Sequence, residues 1–322
     1  MNILLGDIGG TNARLALLEG SVISPICTFA VGAHASFEET LEHFLAGMPA
    51  DRRPGRALLA VAGPIEQDRC KLTNAAWVIE AGRVNHRFGF RRTDLVNDFA
   101  AVTWALPRLT GADLLQLGGA AADRASPSIA LGPGTGLGIG CFVPTREGGM
   151  VLATEGGHAT VPYGTPQENA VIASIARDRG HVSIESLLSG PGLVHIYGAL
   201  RESEHIAAPA RDAAGIVAAA RDGSCAASRS ALAIFTALLG VVAGDLALTF
   251  GARGGVYLAG GIAPRIGDML QEGGFRRRFE DKGRLSGYVA AIPVYLVLRE
   301  NPAFIGLKAL LEQERVKVSR QS

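Results

Sequence analysis

Residues 3–14, ILLGDIGGTNAR, set a carboxylate, two glycines and a hydroxyl at the end of an apolar run. Ile3 to Leu5 leads through Gly6, Asp7 and Ile8 into Gly9, Gly10 and Thr11, and Leu15 to Leu18 is apolar again. Two strand-like runs around a glycine pair predict a hairpin with the glycines at its tip. Glycine turns sharply and lets a ligand approach the backbone without meeting a Cβ. Backbone N–H groups at such a tip form a nest for an anion, and Thr11 adds a hydroxyl donor. Asp7 is itself an anion, so it suits a Mg²⁺ held through water better than a phosphate. An ordinary hairpin built on an Asp-Gly turn leaves a similar trace.

A second glycine loop, GPGTGLGIG at 132–140, carries Gly134, Thr135, Gly136 and Gly138 between the apolar runs Ser128 to Leu131 and Ile139 to Val143. A third pair, Gly260-Gly261, ends the run Val256 to Ala259 and precedes Ile262-Ala263-Pro264, a helix entry. No Gly-Lys-Ser/Thr follows the loops, which excludes a P-loop, and their hairpin return speaks against a Rossmann fingerprint. Among the polar candidates, Asn97 and Asp98 in VNDFAA fall at a strand–helix junction. Open α/β sheets bind ligands at that end of their strands, although a helix cap accounts for the same pair. TEGGH offers Glu155 and His158 as hydrogen-bonding groups for a small polar ligand, without the HExxH order of a helical metal site. Glu185 sits in HVSIESLLSGPGL beside apolar Ile184 and Leu187-Leu188, a setting in which a carboxylate often caps or pairs.

These groups need a scaffold, and the chain has enough material for one. It holds 322 residues, 48% hydrophobic and 19% charged, a globular composition long enough for two domains with separate cores. The net charge is +1, and the Arg276-Arg277-Arg278 triplet reads as a solvated helix face, so no nucleic-acid partner is expected. Cys27, Cys70, Cys141 and Cys225 have no CxxC spacing, which argues for a reducing compartment and against structural zinc. The first strand begins at once, so no signal peptide and a cytoplasmic location are expected. Ala231 to Phe250 is strongly apolar, but Asp245 cuts the run short of the ~20 residues a span needs. A buried core helix and no membrane partner are expected.

Hydrophobic periodicity predicts strands at 3–8, 13–19, 24–31, 56–62 and 93–97, with helices at 36–47 and 98–106, the latter ended by Pro107. Beyond Leu109-Thr110-Gly111, it predicts strands at 113–117, 128–143 (a hairpin), 150–154, 255–259 and 289–297. Helices are expected at 167–179, 190–202, 212–221, 227–250, after 259, and from Ala303 to Arg315.

Read in order, DIGGT, NDFAA, GPGTGLG, EGGH, IESLLSGPGL and YLAGGI resemble the bacterial glucokinase family, from residue 3 to about residue 310. This is the non-ROK branch of the ATP-dependent hexose kinases, in the actin/hexokinase/Hsp70 ATPase superfamily. The resemblance implies two similar α/β domains of the ribonuclease H-like, actin-type fold with an interdomain cleft. Residues 1–109 with the C-terminal helix 300–322 would form the small domain, and 110–299 the large one. It implies Asp98 as catalytic base and Asn97, Glu155, His158 and Glu185 as sugar partners. Gly6 to Thr11 and Gly134 to Gly138 match phosphate loops, Gly260-Gly261 the adenosine pocket. The implied reaction is ATP:D-glucose 6-phosphotransfer, with ATP and Mg²⁺, no zinc, in a cytoplasmic homodimer. Residues 159–180 contain no cysteine, unlike the zinc motif of ROK kinases, and two residues before the first strand leave no room for a ROK repressor's DNA-binding domain. Another hexose or an N-acylhexosamine as substrate, a sugar-binding regulator without catalysis, and an acetate-kinase-like phosphotransferase remain open.

Overall fold

The structure, a computed structural model, describes the backbone of residues 2–203 and 205–321, and their side chains except at 178, 179 and 317–321. The chain divides into two compact units, Met1–Leu109 with Glu300–Ser322, and Thr110–Arg299.

In the first unit, β1 (Ile3–Ile8) and β2 (Asn12–Glu19) form an antiparallel hairpin, and β2 continues to β3 (Val22–Ile23) and β4 (Cys27–Ala30). After α1 (Phe37–Leu45), strand β5 (Arg56–Val61) pairs parallel with β1. A small meander follows, β6 (Ile65–Glu66), β7 (Arg69–Lys71) and β8 (Val78–Glu80), then α2 (Ala81–Phe88), β9 (Arg92–Asn97) parallel to β5, and α3 (Asp98–Ala105). Both faces of the sheet are buried, which is why β1 and β2 read as unbroken apolar runs rather than alternating ones. Leu4, Ile8, Leu15 and Leu17 pack with Phe37 and Leu41 of α1 and with Trp77. Ile3, Leu5, Ala16 and Leu18 pack on the other face with Ala101 of α3 and with Phe304, Leu307 and Leu311 of the C-terminal helix, Pro302–Gln321. Arg56, bonded to both Asp94 and Glu314, ties that helix to the strand edge.

The second unit has a six-stranded sheet built of β10 (Leu114–Gly118), β11 (Ser128–Pro133), β12 (Leu137–Val143) and β13 (Met150–Thr154), completed by two late strands. Helices α4 (Pro166–Arg179), α5 (Gly190–Ser203), α6 (Ala213–Arg221) and α7 (Ala226–Phe250) precede β14 (Val256–Leu258). Then come α8 (Gly267–Gln271), α9 (Gly274–Glu280), α10 (Ser286–Ala290) and β15 (Val294–Val297). Strands β11, β14 and β15 run parallel, and β12 and β13 return antiparallel from β11. Helix α7 is apolar enough in length and composition to span a bilayer, yet 67% of its most apolar window is buried inside the protein. It is the core helix of the unit, with Phe235, Leu238, Leu239 and Ala243 inaccessible.

One expectation needs correction, and one element left no signal in the sequence. The run 289–297 is not one strand: residues through Ala290 close α10, Pro293 donates no ladder bond, and β15 starts at Val294. The meander from Ile65 to Glu80 escapes sequence pattern because its first turn holds Gln67 and Asp68 at φ 49 and 60, without the Asn-Gly signal such turns usually carry.

Helix α3 and the C-terminal helix approach so closely that a Cβ at Gly306 would overlap the carbonyl oxygen of Ala101. Helix propensity favours alanine over glycine by about 1 kcal/mol, but this contact is backbone and cannot swing away. Gly306→Ala should therefore destabilise the protein by about 1–3 kcal/mol. Gly198→Ala on α5, where a Cβ meets nothing within 4 Å, should instead stabilise by up to about 1 kcal/mol. Urea unfolding of the two variants checks the opposite signs.

Candidate active site

In the first unit the parallel strands end together: Ile8 of β1 is in register with Val61 of β5, and Val61 with Asn97 of β9. The β1–β2 turn closes with the Gly9 N–H donating to the Asn12 carbonyl at 3.0 Å, leaving Gly10 and Thr11 at its tip. The 72–77 segment supports this tip, with Asn74 against Gly10. Gly6, Asp7 and Ile8 are the strand leading in. Asp7 is largely buried, and its nearest cation is Arg14, Nη1 to Oδ2 at 3.4 Å. Burial pushes the Asp7 carboxyl up more strongly than Arg14 draws it down.

At the other end of this edge, Asn97 rather than Asp98 caps α3: its Oδ1 accepts from the Phe99 and Ala100 N–H groups, both at 3.0 Å. This engages the amide oxygen and leaves the Asn97 NH₂ as the group to offer a ligand. Asp98 occupies the first helical position and accepts from the Phe99 N–H through Oδ1 at 2.8 Å. Beneath it, burial and then the Asp98 charge push the Cys70 thiol up to about 11, so Cys70 stays protonated.

In the second unit one carboxylate organises the remaining candidates. Glu185 Oε2 accepts the Leu137 N–H at 2.7 Å, at the end of the β11–β12 turn that holds Gly134, Thr135 and Gly136. The Glu185 backbone N–H donates to the Gly157 carbonyl at 2.8 Å, and the Ile184 N–H to Ala159. Glu185 thus joins the second glycine turn to the Glu155–His158 turn. There Glu155 and His158 are well exposed and face each other at 4.0 Å. Gly138 lies on β12, paired with Gly132.

The Gly190 N–H donates to the Gly134 carbonyl at 2.8 Å, which sets the start of α5 against the same turn. Ser189 locks that start, donating to the Glu185 carbonyl and accepting from the Gly192 N–H. The positive end of a helix favours an anion there. On another side, the Ile262 N–H donates to Pro133, and the Gly260 backbone at φ +79 passes so close that a Cβ would lie 2.7 Å from the Pro133 oxygen. Gly261 lies beside Gly134. Within this unit, then, the glycine turn, Glu155, His158, Glu185, Gly260 and Gly261 belong to one contiguous backbone network.

A glucokinase family model matches residues 4–314. A glucokinase of Aromatoleum aromaticum is 41% identical over 96% of this chain and 94% of its own length. One from Nitrobacter hamburgensis is 40% identical, covering 95% of this chain and 96% of its own. The chain belongs to the glucokinase family. Its fold agrees with that of a glucokinase from an Antarctic psychrotroph, with a TM-score of 0.84 at 38% identity over 97% of this chain and 98% of that one.

Two parts of this glucokinase-family arrangement escape a reading of motifs. Asn74 and Cys70 come from the meander, and only tertiary packing brings them to Gly10 and Asp98. Ser189 and Gly190 lie four and five residues after Glu185, and the Ser-Gly-Pro-Gly run was the available signal for a helix start.

Because burial raises the folded-state pKa of Asp7, its carboxylate opposes folding once ionised. Its contribution is favourable at acid pH and is lost as pH rises through the raised value. Asp7→Asn should therefore unfold at higher urea than the parent at pH 7, with the gap narrowing toward pH 4. A variant less stable than the parent at pH 7 would mean that the Arg14 pair outweighs the burial cost.

Proposed function

We infer that the chain phosphorylates D-glucose with ATP, yielding glucose 6-phosphate and ADP. Membership of the glucokinase family supports the reaction. The observation that carries the residue assignment is the shared edge of β1, β5 and β9. There a glycine turn and a carboxylate at a helix start lie two strand spacings apart, about 10 Å, at the end where open α/β sheets hold ligands.

Phosphoryl transfer asks a protein mainly for positioning and charge stabilisation. Asp98 accepts the proton of the glucose 6-hydroxyl as that oxygen attacks the γ-phosphorus. Held by the Phe99 N–H, it approaches from the first turn of α3. The Asn97 amide, Glu155, His158 and Glu185 pair with the remaining sugar hydroxyls. Such a site rejects analogues that lack a hydroxyl, because its own polar groups would be left unpaired. The turns at Gly9 to Thr11 and Gly134 to Gly136 hold ATP phosphates, the second aided by the α5 N-terminus, and Gly260-Gly261 borders the adenosine.

Asp7 suits a Mg²⁺ site: it is a hard oxygen donor, buried, and only loosely matched by Arg14 at 3.4 Å. Bound there through water, Mg²⁺ would neutralise charge on the ATP phosphates. Zinc has no place in this turnover. Four free thiols and family membership support a cytoplasmic protein, and the family resemblance a homodimer.

Asp98→Asn keeps the size and the bond to Phe99 but removes the base. Its kcat should fall by about 10²-fold or more, while glucose affinity stays within about tenfold. A variant keeping more than about a tenth of the parent kcat would overturn the base assignment.

The sugar groups should separate by their structural attachments. Glu155→Gln and His158→Ala should each cost about 1–3 kcal/mol in kcat/KM for glucose and leave ATP binding nearly unchanged. Glu185→Gln should impair both substrates, because the same carboxylate braces the Gly134–Gly136 turn. Equal effects on nucleotide titration for all three would remove the distinction.

A further inference from the structure

His34, Glu39 and His43 come together along one side of α1, a cluster that the proposed phosphoryl transfer does not use. Each offers one ligand atom, and the three atoms lie within 4.8 Å of one another. Glu39 and His43 stand one helical turn apart on α1, so both project from the same face. His34 precedes the helix cap Ser36 by two residues. The two imidazoles have centroids 5.0 Å apart at 51°.

Two features distinguish the cluster from a chance meeting of polar side chains. The Nδ1 of His34 is buried and has no hydrogen-bond partner among the described residues, a cost that a cation coordinated at that nitrogen offsets. Glu39 is already oriented, because its Oε2 accepts the Ala35 N–H at 2.7 Å while its other oxygen carries no such duty. A backbone donor behind a carboxylate ligand is the kind of support that metal sites use.

We propose that His34, Glu39 and His43 bind a divalent transition-metal ion, with Zn²⁺ the best chemical match. Two imidazoles and a carboxylate leave a fourth tetrahedral position for water. Nitrogen donors select against Mg²⁺ and Ca²⁺, which take oxygen. Tetrahedral zinc needs ligand atoms about 3.4 Å apart, and rotation of the exposed His43 ring closes the difference.

The position gives the ion a lever on the first glycine turn. The His34 carbonyl accepts the Trp77 indole N–H at 3.1 Å. The Val31 N–H, three residues earlier, donates to the Thr11 carbonyl at 2.9 Å. Metal bound at this cluster fastens the 31–34 turn to α1 and stiffens two supports of the Gly10–Thr11 tip. Turnover itself does not require it.

The test is titration of the metal-stripped full chain with Co²⁺ and then Zn²⁺ in excess Mg²⁺, following the visible Co²⁺ absorption, quenching of Trp77 in a Trp104→Phe background, and calorimetry. One ion per chain is expected, with Zn²⁺ displacing Co²⁺. His43→Ala and Glu39→Gln should each weaken Zn²⁺ by about tenfold or more, and His43→Ala should keep parental Mg²⁺-dependent activity and thermal stability without zinc. Removal of exposed His86 on α2 should change neither metal affinity nor spectrum. Zinc affinity equal to the parent in both ligand variants, or no binding by the parent at millimolar Zn²⁺, would overturn the site. Since the readouts are metal binding, their failure leaves the glucokinase reading where it stood.

Discussion

In the second unit a single carboxylate couples two turns that carry different chemistry. Glu185 accepts the Leu137 N–H through its side chain and donates to Gly157 through its backbone. The Leu137 bond joins a backbone N–H to the Glu185 side chain, whose own backbone is tied to Gly157. The glycine turn therefore cannot drift without moving the Glu155–His158 turn. Ser189 and Gly190, four and five residues further on, add the start of α5 to the same assembly. The consequence is a set of backbone groups held in fixed relation to one another within the second unit.

Both units use the same device at their functional edges. A hairpin, β1–β2 or β11–β12, stands beside parallel strands, and a capped helix start lies next to it. Asn97 caps α3 in the first unit, and Ser189 locks the start of α5 in the second. A capped helix start supplies aligned N–H groups and positive potential without a charged side chain. Of these edge glycines, Gly260 is required by backbone packing, since a Cβ there would lie 2.7 Å from the Pro133 oxygen, whereas Gly10 and Gly136 leave room for the side chains of Asn74 and Glu185.

These edges also hold groups that do little for folding. Asp7 is buried beside Arg14, at 3.4 Å, and burial still holds its carboxyl above the usual range. Cys70, pushed in the same direction, is inert beside Asp98. A site that keeps a charge where folding would prefer none trades stability for function. The cores compensate: both faces of the first sheet are filled, and α7 is sheathed by the second unit.

Much of the architecture was legible in the chain because it is locally encoded. Glycine pairs between apolar runs marked both hairpins, helical periodicity marked α1, a long apolar run marked α7, Asn301-Pro302 marked the start of the C-terminal helix, and the order of six motifs marked the family. Elements with weak local signals were not legible: the 65–80 meander turns on Gln67 and Asp68, and the apolar 289–297 run hides a helix end before Pro293. Asn97, Asp98, Glu155, His158 and Glu185 were visible as polar groups at strand ends and turns, each equally explained by a cap or a pair, and only the order of six motifs gave them roles. Their duties within the fold came from tertiary contacts: Asn97 rather than Asp98 as the cap, Glu185 as the brace of a turn 48 residues away, and Cys70 under Asp98. His34, Glu39 and His43 likewise read as ordinary surface residues until a strand end and a helix face meet. Periodicity and turn chemistry act over a few residues, and so a sequence carries them openly. The meeting of distant side chains depends on how whole elements pack, and that information exists only in the folded chain.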